Sequence, residues 1–586
     1  MGRQKAIEND PLNVESHAIG EQDGIVLFQI SYDLGTLEGT QRTASPKIAA
    51  YFARPKDGKN LPGLVQIHGG GQRANKTLAR YWAQQGYAAI SINWGGLELE
   101  SGVKNTAWDG LAAGFRRPGV EKAIHHNFTD PDQYPDGGTL FDVPHPLNSS
   151  WILNSYAARR AVTVLMAMPY VDQSKIGLVG WSMGGRTTVL AATDPRLTVV
   201  APGVGGTGFL YEDWWGLPGT ARRSNGVKDM NLYLEMVDAK SYWPEISVPT
   251  MFVEASNDFN APFDLVTKAM ALQDEKVEQR LAFAPHFNHR LDPSAAAAKV
   301  LWMRSHLTES FKFPQTSVSK LELKQSDGVP VFKVWPDTST KHPVVKVEVY
   351  YGLERDSLTR FWRNAGALKK GSHWEAKCPV FDTDEMMVAL AVVTYDAGID
   401  LKMTPGFSPT SHFSVCSEVQ TVYPDQLKAA GVNETAKREG VIDDFSKGYR
   451  DWYQLNPKNP HHWQRWTRKV NDPSWTGQKG DKLAIDVETD AGSNTLGIRL
   501  LVKWNESPKH SYSAKVPLAS VGKTRVSLSV EDFRNEETGK PLGSWDDVVL
   551  MGIIPGNRID QTIPRWNGKP PGFSNLRWEG GDQERR

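Results

Sequence analysis

Only 2 cysteines occur in 586 residues, which excludes a disulfide scaffold and any multi-cysteine zinc or iron–sulfur site; one bridge, Cys378 to Cys416, is the most the chain can form. Neither charge is in excess. Lys+Arg and Asp+Glu both number 67, so no surplus of positive charge is available to neutralise a phosphate backbone, and a nucleic-acid partner is not expected. No apolar run approaches the roughly 20 residues that a membrane-spanning helix requires, so no membrane partner is expected either. Fixed-period repeats and low-complexity tracts are absent. The polar residues after Met1–Lys5 contain no apolar core of a signal peptide, so none is read in this sequence.

What is present is length and aromatic mass. At roughly 150 residues per domain the chain has room for three or four domains. It carries 20 Trp, 17 Tyr and 21 Phe, and flat apolar rings with one polar atom suit sugar faces as well as cores and interfaces.

From about Val26 to Leu307, short β-rich runs alternate with longer helical stretches, the pattern of an α/β sheet covered by helices on both faces. The expected strands are Ile48–Ala53, Leu64–His68, Tyr87–Asn93, Lys175–Val179, Leu197–Ala201, Thr250–Ala255 and Gln279–Ala284. Helices are expected over Leu78–Gln85, Ser150–Met168 and Asp292–Leu307, the last opened by the cap-like pair Asp292-Pro293. Beyond Phe313-Pro314 the pattern changes to alternating segments such as Val344–Tyr351 and Met387–Val393. We divide the chain into an α/β domain (1–313), an Ig-like β-sandwich (314–418) and a second sandwich of jelly-roll type (419–586) that holds 8 of the 20 Trp.

The segment Gly180-Trp181-Ser182-Met183-Gly184-Gly185 follows an expected strand and opens an expected helix. In that context a G-x-S-x-G pattern marks a sharp turn that projects a nucleophilic serine above the sheet's carboxyl edge, its flanking glycines removing Cβ atoms that would collide. A serine hydroxyl needs a base to take its proton, and the base needs an acid to orient it. Asp258 lies just past the end of strand Thr250–Ala255; Glu254 within the strand and Asp264 on the following helix are weaker candidates. The base is His289, or else His286, both in the loop after Gln279–Ala284; the other would contact substrate or support the site. Donors for the developing oxyanion are the N–H of Met183 and that of Gly71 or Gln72, at the end of His68-Gly69-Gly70-Gly71-Gln72.

These motifs, in this order over residues 40–310, resemble the α/β-hydrolase superfamily, and within it the acetyl xylan esterase and dienelactone hydrolase-like group. The resemblance implies Ser182 as nucleophile, Asp258 as acid and His289 as base, with no cofactor and no metal. A serine where dienelactone hydrolases carry a cysteine implies ester hydrolysis rather than lactone opening. The long insert Gly95–Leu147 departs from a minimal hydrolase. Trp108, Tyr134, Phe115-Arg116-Arg117 and His125-His126 within it, with Tyr211, Asp213, Trp214 and Trp215 further on, are candidates to line a substrate cleft; His125-His126 has no third ligand at metal spacing. The C-terminal unit resembles carbohydrate-binding sandwiches, through Ile442-Asp443-Asp444-Phe445 and Phe573–Trp578. The expected activity is removal of O-acetyl groups from a polysaccharide or oligosaccharide. The alternatives are another acyl class, peptides included, although no propeller-like domain precedes the catalytic one, or a glycan-binding protein with an inactive hydrolase domain. A secreted or periplasmic location with a removed leader goes with that substrate; the oligomeric state is left open.

Overall fold

The computed structural model describes residues 9–99, 105–114, 129–134, 137–209, 212 and 227–580. Nine strands, β1 (Glu15–Gln22), β2 (Ile25–Asp33), β3 (Lys47–Pro55), β4 (Leu61–Ile67), β5 (Ala88–Ile92), β6 (Val171–Trp181), β7 (Val199–Gly203), β8 (Thr250–Ala255) and β9 (Gln279–Ala284), form one sheet. Their order is β1-β2-β3-β5-β4-β6-β7-β8-β9. The first four in that order pair antiparallel, and from β5 onward all neighbours are parallel.

β3 to β9 correspond to the seven expected strands, with ends shifted by a few residues. β1 and β2 extend the sheet beyond that expectation. β1 is exposed at every position but Ile19, so it has no apolar alternation by which a strand is recognised. β5, β7 and β8 are buried at every position, as parallel strands covered on both faces must be.

Besides the short helix Met230–Met236, the helices of this domain are α1 (Lys76–Gln84), α2 (Ser150–Met166), α3 (Met183–Ala191), α4 (Phe263–Met270) and α5 (Pro293–Leu307). Side-chain caps set the starts of three: Asn75 Oδ1 accepts from the N–H of Thr77 and Leu78, Ser149 Oγ from that of Trp151, and Asp292 Oδ1 from those of Ser294 and Ala295. Val65, Ile67, Ile90 and Ile92 pack with Trp151, Val162 and Leu165 of α2 on one face of the sheet. Leu64, Ala89, Val179 and Val253 pack with Leu301 and Trp302 of α5 on the other.

That second core runs without a break into the middle domain, where Phe313 meets Phe413 with ring centroids 5.4 Å apart. From residue 318 onward the sheets are antiparallel. A four-stranded and a five-stranded sheet share the core of Phe332, Val334, Val349, Ala391 and Val393. The short helix Pro424–Ala429 buries Leu427 in the same core. A four-stranded and a six-stranded sheet then enclose Ile485, Val487, Ile498 and Ile553. Of the 8 Trp in this last unit, Trp452, Trp463, Trp466, Trp545, Trp566 and Trp578 are buried, leaving Trp475 and Trp504 half-buried. Cys378 and Cys416 are free and buried, so the bridge left open by the sequence does not form. Among the described residues no helix is long and apolar enough to cross a membrane.

Candidate active site

Ser182 stands between the end of β6 and the start of α3 with φ 61° and ψ −117°, a left-handed conformation that costs a non-glycine residue on the order of 1–3 kcal/mol. The glycines on either side make the turn possible. A Cβ on Gly180 would lie 2.0 Å from Gly184 O, and one on Gly184 would lie 2.4 Å from Ile67 O. The Ser182 N–H is fixed by Gly203 O at 2.8 Å, across to β7.

The parallel sheet brings the loops after β8 and β9 to the same carboxyl edge. Asp258, fully buried, accepts from the N–H groups of Asn260 and Ala261 on Oδ1 (2.7 and 2.8 Å). Its Oδ2 lies 2.8 Å from His289 Nδ1, and His289 Nε2 lies 2.9 Å from Ser182 Oγ. With the carboxylate accepting from Nδ1–H, Nε2 carries the lone pair and can accept the serine proton. His289 retains 22% side-chain exposure while Asp258 has none, so the relay is open at its reactive end and closed behind. Ser182, His286 and His289 all have φ between 55° and 65°, so backbone strain is gathered at this edge.

The competing candidates are engaged elsewhere. Asp264 holds Arg360 of the middle domain through two bonds of 2.7 and 2.9 Å. Glu254 is fully buried, and burial, followed by the nearby Asp258 charge, drives its carboxyl well above the ordinary glutamate range. Its charged form is thus disfavoured beside the acid. His286 is 6% exposed, set against Phe361 and Tyr350 of the middle domain, and burial pushes it down to about 4. It contacts the accessory domains rather than the site mouth, so it is neither the base nor a substrate contact, and of the expected roles the supporting one fits its place.

In the glycine run, the backbone that approaches the elbow is Gly69 and Gly70. A Cβ on Gly69 would lie 3.3 Å from Ser182 Cβ, and one on Gly70 would lie 2.4 Å from Met183 Sδ; Gly71 faces open space. Gln72 enters through its side chain, Oε1 accepting the Gly69 N–H at 3.2 Å. The turn is anchored by His68, buried and stacked on Trp94 with ring planes 8° apart. Met183 opens α3, at the positive end of the helix dipole.

Trp108 is 6% exposed and its indole N–H donates to Trp94 O at 2.9 Å. Its ring packs inside the insert rather than lining a cleft, a correction to the expectation. Tyr134 is likewise buried. Trp214 and Trp215 lie outside the described residues, as do Tyr211, Asp213, Phe115, Arg116, Arg117, His125 and His126. Rings that the sequence did not single out are nearer: Phe259 lies 4.6 Å and Trp181 6.0 Å from His289, centroid to centroid. Among the described residues no cluster of three or more His, Cys, Asp or Glu side chains is placed to hold a metal.

A strained serine between a parallel strand and a helix, with a histidine and a carboxylate from the next two strand ends, defines an α/β-hydrolase domain of the serine-hydrolase type. Residues 159–310, which include Ser182, Asp258 and His289, match the model of the prolyl oligopeptidase family. Among solved structures, the chain is similar to an acetyl xylan esterase from Paenibacillus sp. R4 at 18% identity, over 52% of this chain and 93% of that one, with a TM-score of 0.38. It is similar to acetyl xylan esterase 1 from Thermoanaerobacterium sp. JW/SL YS485 at 14% identity, over 52% and 90%, with a TM-score of 0.37. Dipeptidyl peptidase 4 of Porphyromonas gingivalis is similar at 16% identity, over 49% of this chain and 34% of that one, with a TM-score of 0.29. No curated protein matches the sequence.

Proposed function

We propose that the protein is a serine esterase that removes O-acetyl groups from a polysaccharide or oligosaccharide outside the cytoplasm. The observation that carries the reading is the relay of 2.9 and 2.8 Å from Ser182 Oγ through His289 to Asp258. In the reaction, Ser182 Oγ attacks the acetyl carbonyl as its proton passes to His289 Nε2, and Asp258 holds the imidazolium through Nδ1–H. The oxyanion is held by the N–H of Met183 and that of Gly71 or Gln72. The departing sugar oxygen takes the proton from His289, giving acetyl-Ser182; water, deprotonated by the same nitrogen, then attacks the acetyl carbonyl, and acetate leaves as Ser182 Oγ takes the proton back.

Two features support a carbohydrate substrate. Phe259, next to Asp258, is half-buried and lies parallel to the half-buried Trp504 of the last domain. Such rings suit the apolar faces of sugars. The C-terminal sandwich, a glycan-binding candidate from its sequence, thus reaches the neighbourhood of His289.

A peptidase reading is favoured by one observation, the match of residues 159–310 to the prolyl oligopeptidase family. Acetate release from acetylated xylan, compared with cleavage of proline-containing peptides and of long-chain esters, separates the two. Acetate release lost in Ser182→Ala supports the esterase; peptide cleavage without acetate release replaces it with the peptidase.

A further inference from the structure

The middle sandwich carries no catalytic motif in its sequence. The contacts made by its segment 354–363 are of another kind. Asn257, the residue before the acid, is 1% exposed, and its carboxamide nitrogen donates to Ser357 O at 2.9 Å and to Arg360 O at 2.8 Å. Trp362 Nε1 donates to Ser256 O at 3.3 Å. Arg360, fully buried, clamps Asp264 at the start of α4, so the chain is held by the middle domain on both sides of Asp258.

The same segment is gripped from behind by the last domain. Arg468 Nε donates to Leu358 O at 2.7 Å and Asn471 Nδ2 to Thr359 O at 3.1 Å. Arg363 forms a two-armed pair with Asp472, its Nε 2.5 Å from Oδ2. The base loop docks on these domains too. His286 lies against Phe361 at 5.4 Å with Asp451 3.9 Å from its Nε2, and Phe287 meets Tyr453 at 5.5 Å.

A loop donating two buried hydrogen bonds to backbone carbonyls of another domain takes its position from that domain. Buried amide–carbonyl bonds are costly to leave unmade, and carbonyls impose direction as well as distance. Within the hydrolase domain the loop is also tied to the base loop, Asn257 N–H donating to Phe287 O at 3.1 Å and Phe259 N–H to Asn288 Oδ1 at 3.2 Å, while the Asp258 carboxylate accepts from N–H groups of its own loop, at Asn260 and Ala261, besides His289. We infer that Asn257 is a positioning residue through which segment 354–363 of the middle domain sets the Asp258–His289 geometry, so that the β-domains form part of the catalytic apparatus. The inference rests on the serine-hydrolase reading above.

The test is steady-state hydrolysis of ethyl acetate by the full chain carrying Asn257→Ala or Asn257→Ser, with thermal unfolding and active-site titration by a fluorophosphonate measured alongside. Misplacement of the acid by a fraction of an ångström slows the chemical step on the order of 10–100-fold without changing how the substrate is bound. The expected result for Asn257→Ala is therefore a kcat, per titrated site, lower by that factor with KM within twofold of the parent. Asn257→Ser keeps a polar side chain but ends short of both carbonyls, so it should lower kcat by a similar factor while unfolding at a similar temperature. An unchanged kcat per site overturns the inference, as does a loss in either variant that disappears once activity is normalised to titratable folded protein. Should Asn257→Ala not fold, Asn257→Ser alone decides by the same kcat and KM criterion. If the parent chain shows no Ser182-dependent ester hydrolysis, the reading of the site fails instead, a result the variants cannot mimic.

Discussion

Trp504 of the last β-domain lies parallel to Phe259 of the hydrolase domain, their ring planes 4° apart and their centroids 6.1 Å apart. Phe259 in turn lies 4.6 Å from the ring of His289. An aromatic surface from a separate domain is thereby placed beside the reacting groups. If it meets the sugar carrying the acetyl group, Trp504→Ala should raise KM for an acetylated xylo-oligosaccharide about 3- to 10-fold, as an aromatic contact of roughly 0.5–1.5 kcal/mol implies. Hydrolysis of ethyl acetate, which has no ring to stack, should change by less than twofold. Equal effects on the two substrates would remove Trp504 from the substrate site.

Ser182→Ala should lower acetyl-ester hydrolysis by about 10³-fold or more, since only oxyanion stabilisation and binding remain. It should also abolish labelling by a fluorophosphonate. The unfolding temperature should be preserved or should rise, because the residue sits at φ 61° in a strained turn. Persisting labelling would place the nucleophile elsewhere.

Asp258→Asn keeps size and shape but no longer accepts from His289 Nδ1–H as a charged group, which favours the wrong tautomer. A loss in kcat of about 10⁴-fold is expected from the known behaviour of such triads. Glu254→Gln, by contrast, replaces a carboxyl whose charged form burial already disfavours. It should reduce kcat far less, and a reversed order of the two variants would reassign the acid.

Glu354 has both carboxyl oxygens buried without a hydrogen-bond partner among the described residues. Burial, reinforced by Asp472, raises its carboxyl to about 7 from an ordinary 4.5. Between those values the unfolded chain releases this proton while the folded chain keeps it, so stability falls as pH rises through the window and is lowest above it. Glu354→Gln removes the effect. Its advantage in unfolding temperature over the parent should be small at pH 4.5 and grow by several degrees by pH 7.5, since each kcal/mol counts for roughly 4–8 °C in a domain of about 100 residues. A difference independent of pH would show that this carboxyl ionises alike in both states.

Arg360, fully buried, and Asp264, partly buried, form a two-armed pair between domains. Arg360→Met leaves the Asp264 carboxylate uncompensated and should cost about 3–5 kcal/mol in urea unfolding. Adding Asp264→Leu should recover much of that, because the second change removes the orphaned charge. If the double variant is as unstable as the single one, the pair is not what the first substitution disrupts.

Much of the hydrolase domain was legible from local pattern. The G-x-S-x-G stretch demands a strand behind it and a helix ahead, and those are read from apolar runs of different period; the strand ends then limit the acid and base to a few residues. The choices left open were those that periodicity cannot make. His286 and His289 are three residues apart on one loop, and only the fold turns one toward Ser182 and buries the other against Phe361. Burial likewise moved Trp108 from candidate cleft residue to packing residue.

The sequence by itself determined the nucleophile's turn, the caps of the helices and the passage from α/β to all-β pattern near Phe313, because each depends on neighbours within a few positions along the chain. Tertiary structure decided which imidazole reaches the serine, which carboxyl is buried beside the acid with its charged form disfavoured, and that Asn257, Arg360 and Trp504 belong to the same neighbourhood. Apart from Glu254 and Asp258, those relationships join residues about a hundred or more positions apart, and no local preference of either partner encodes them; they follow from how the domains pack on one another, the first two through shared cores.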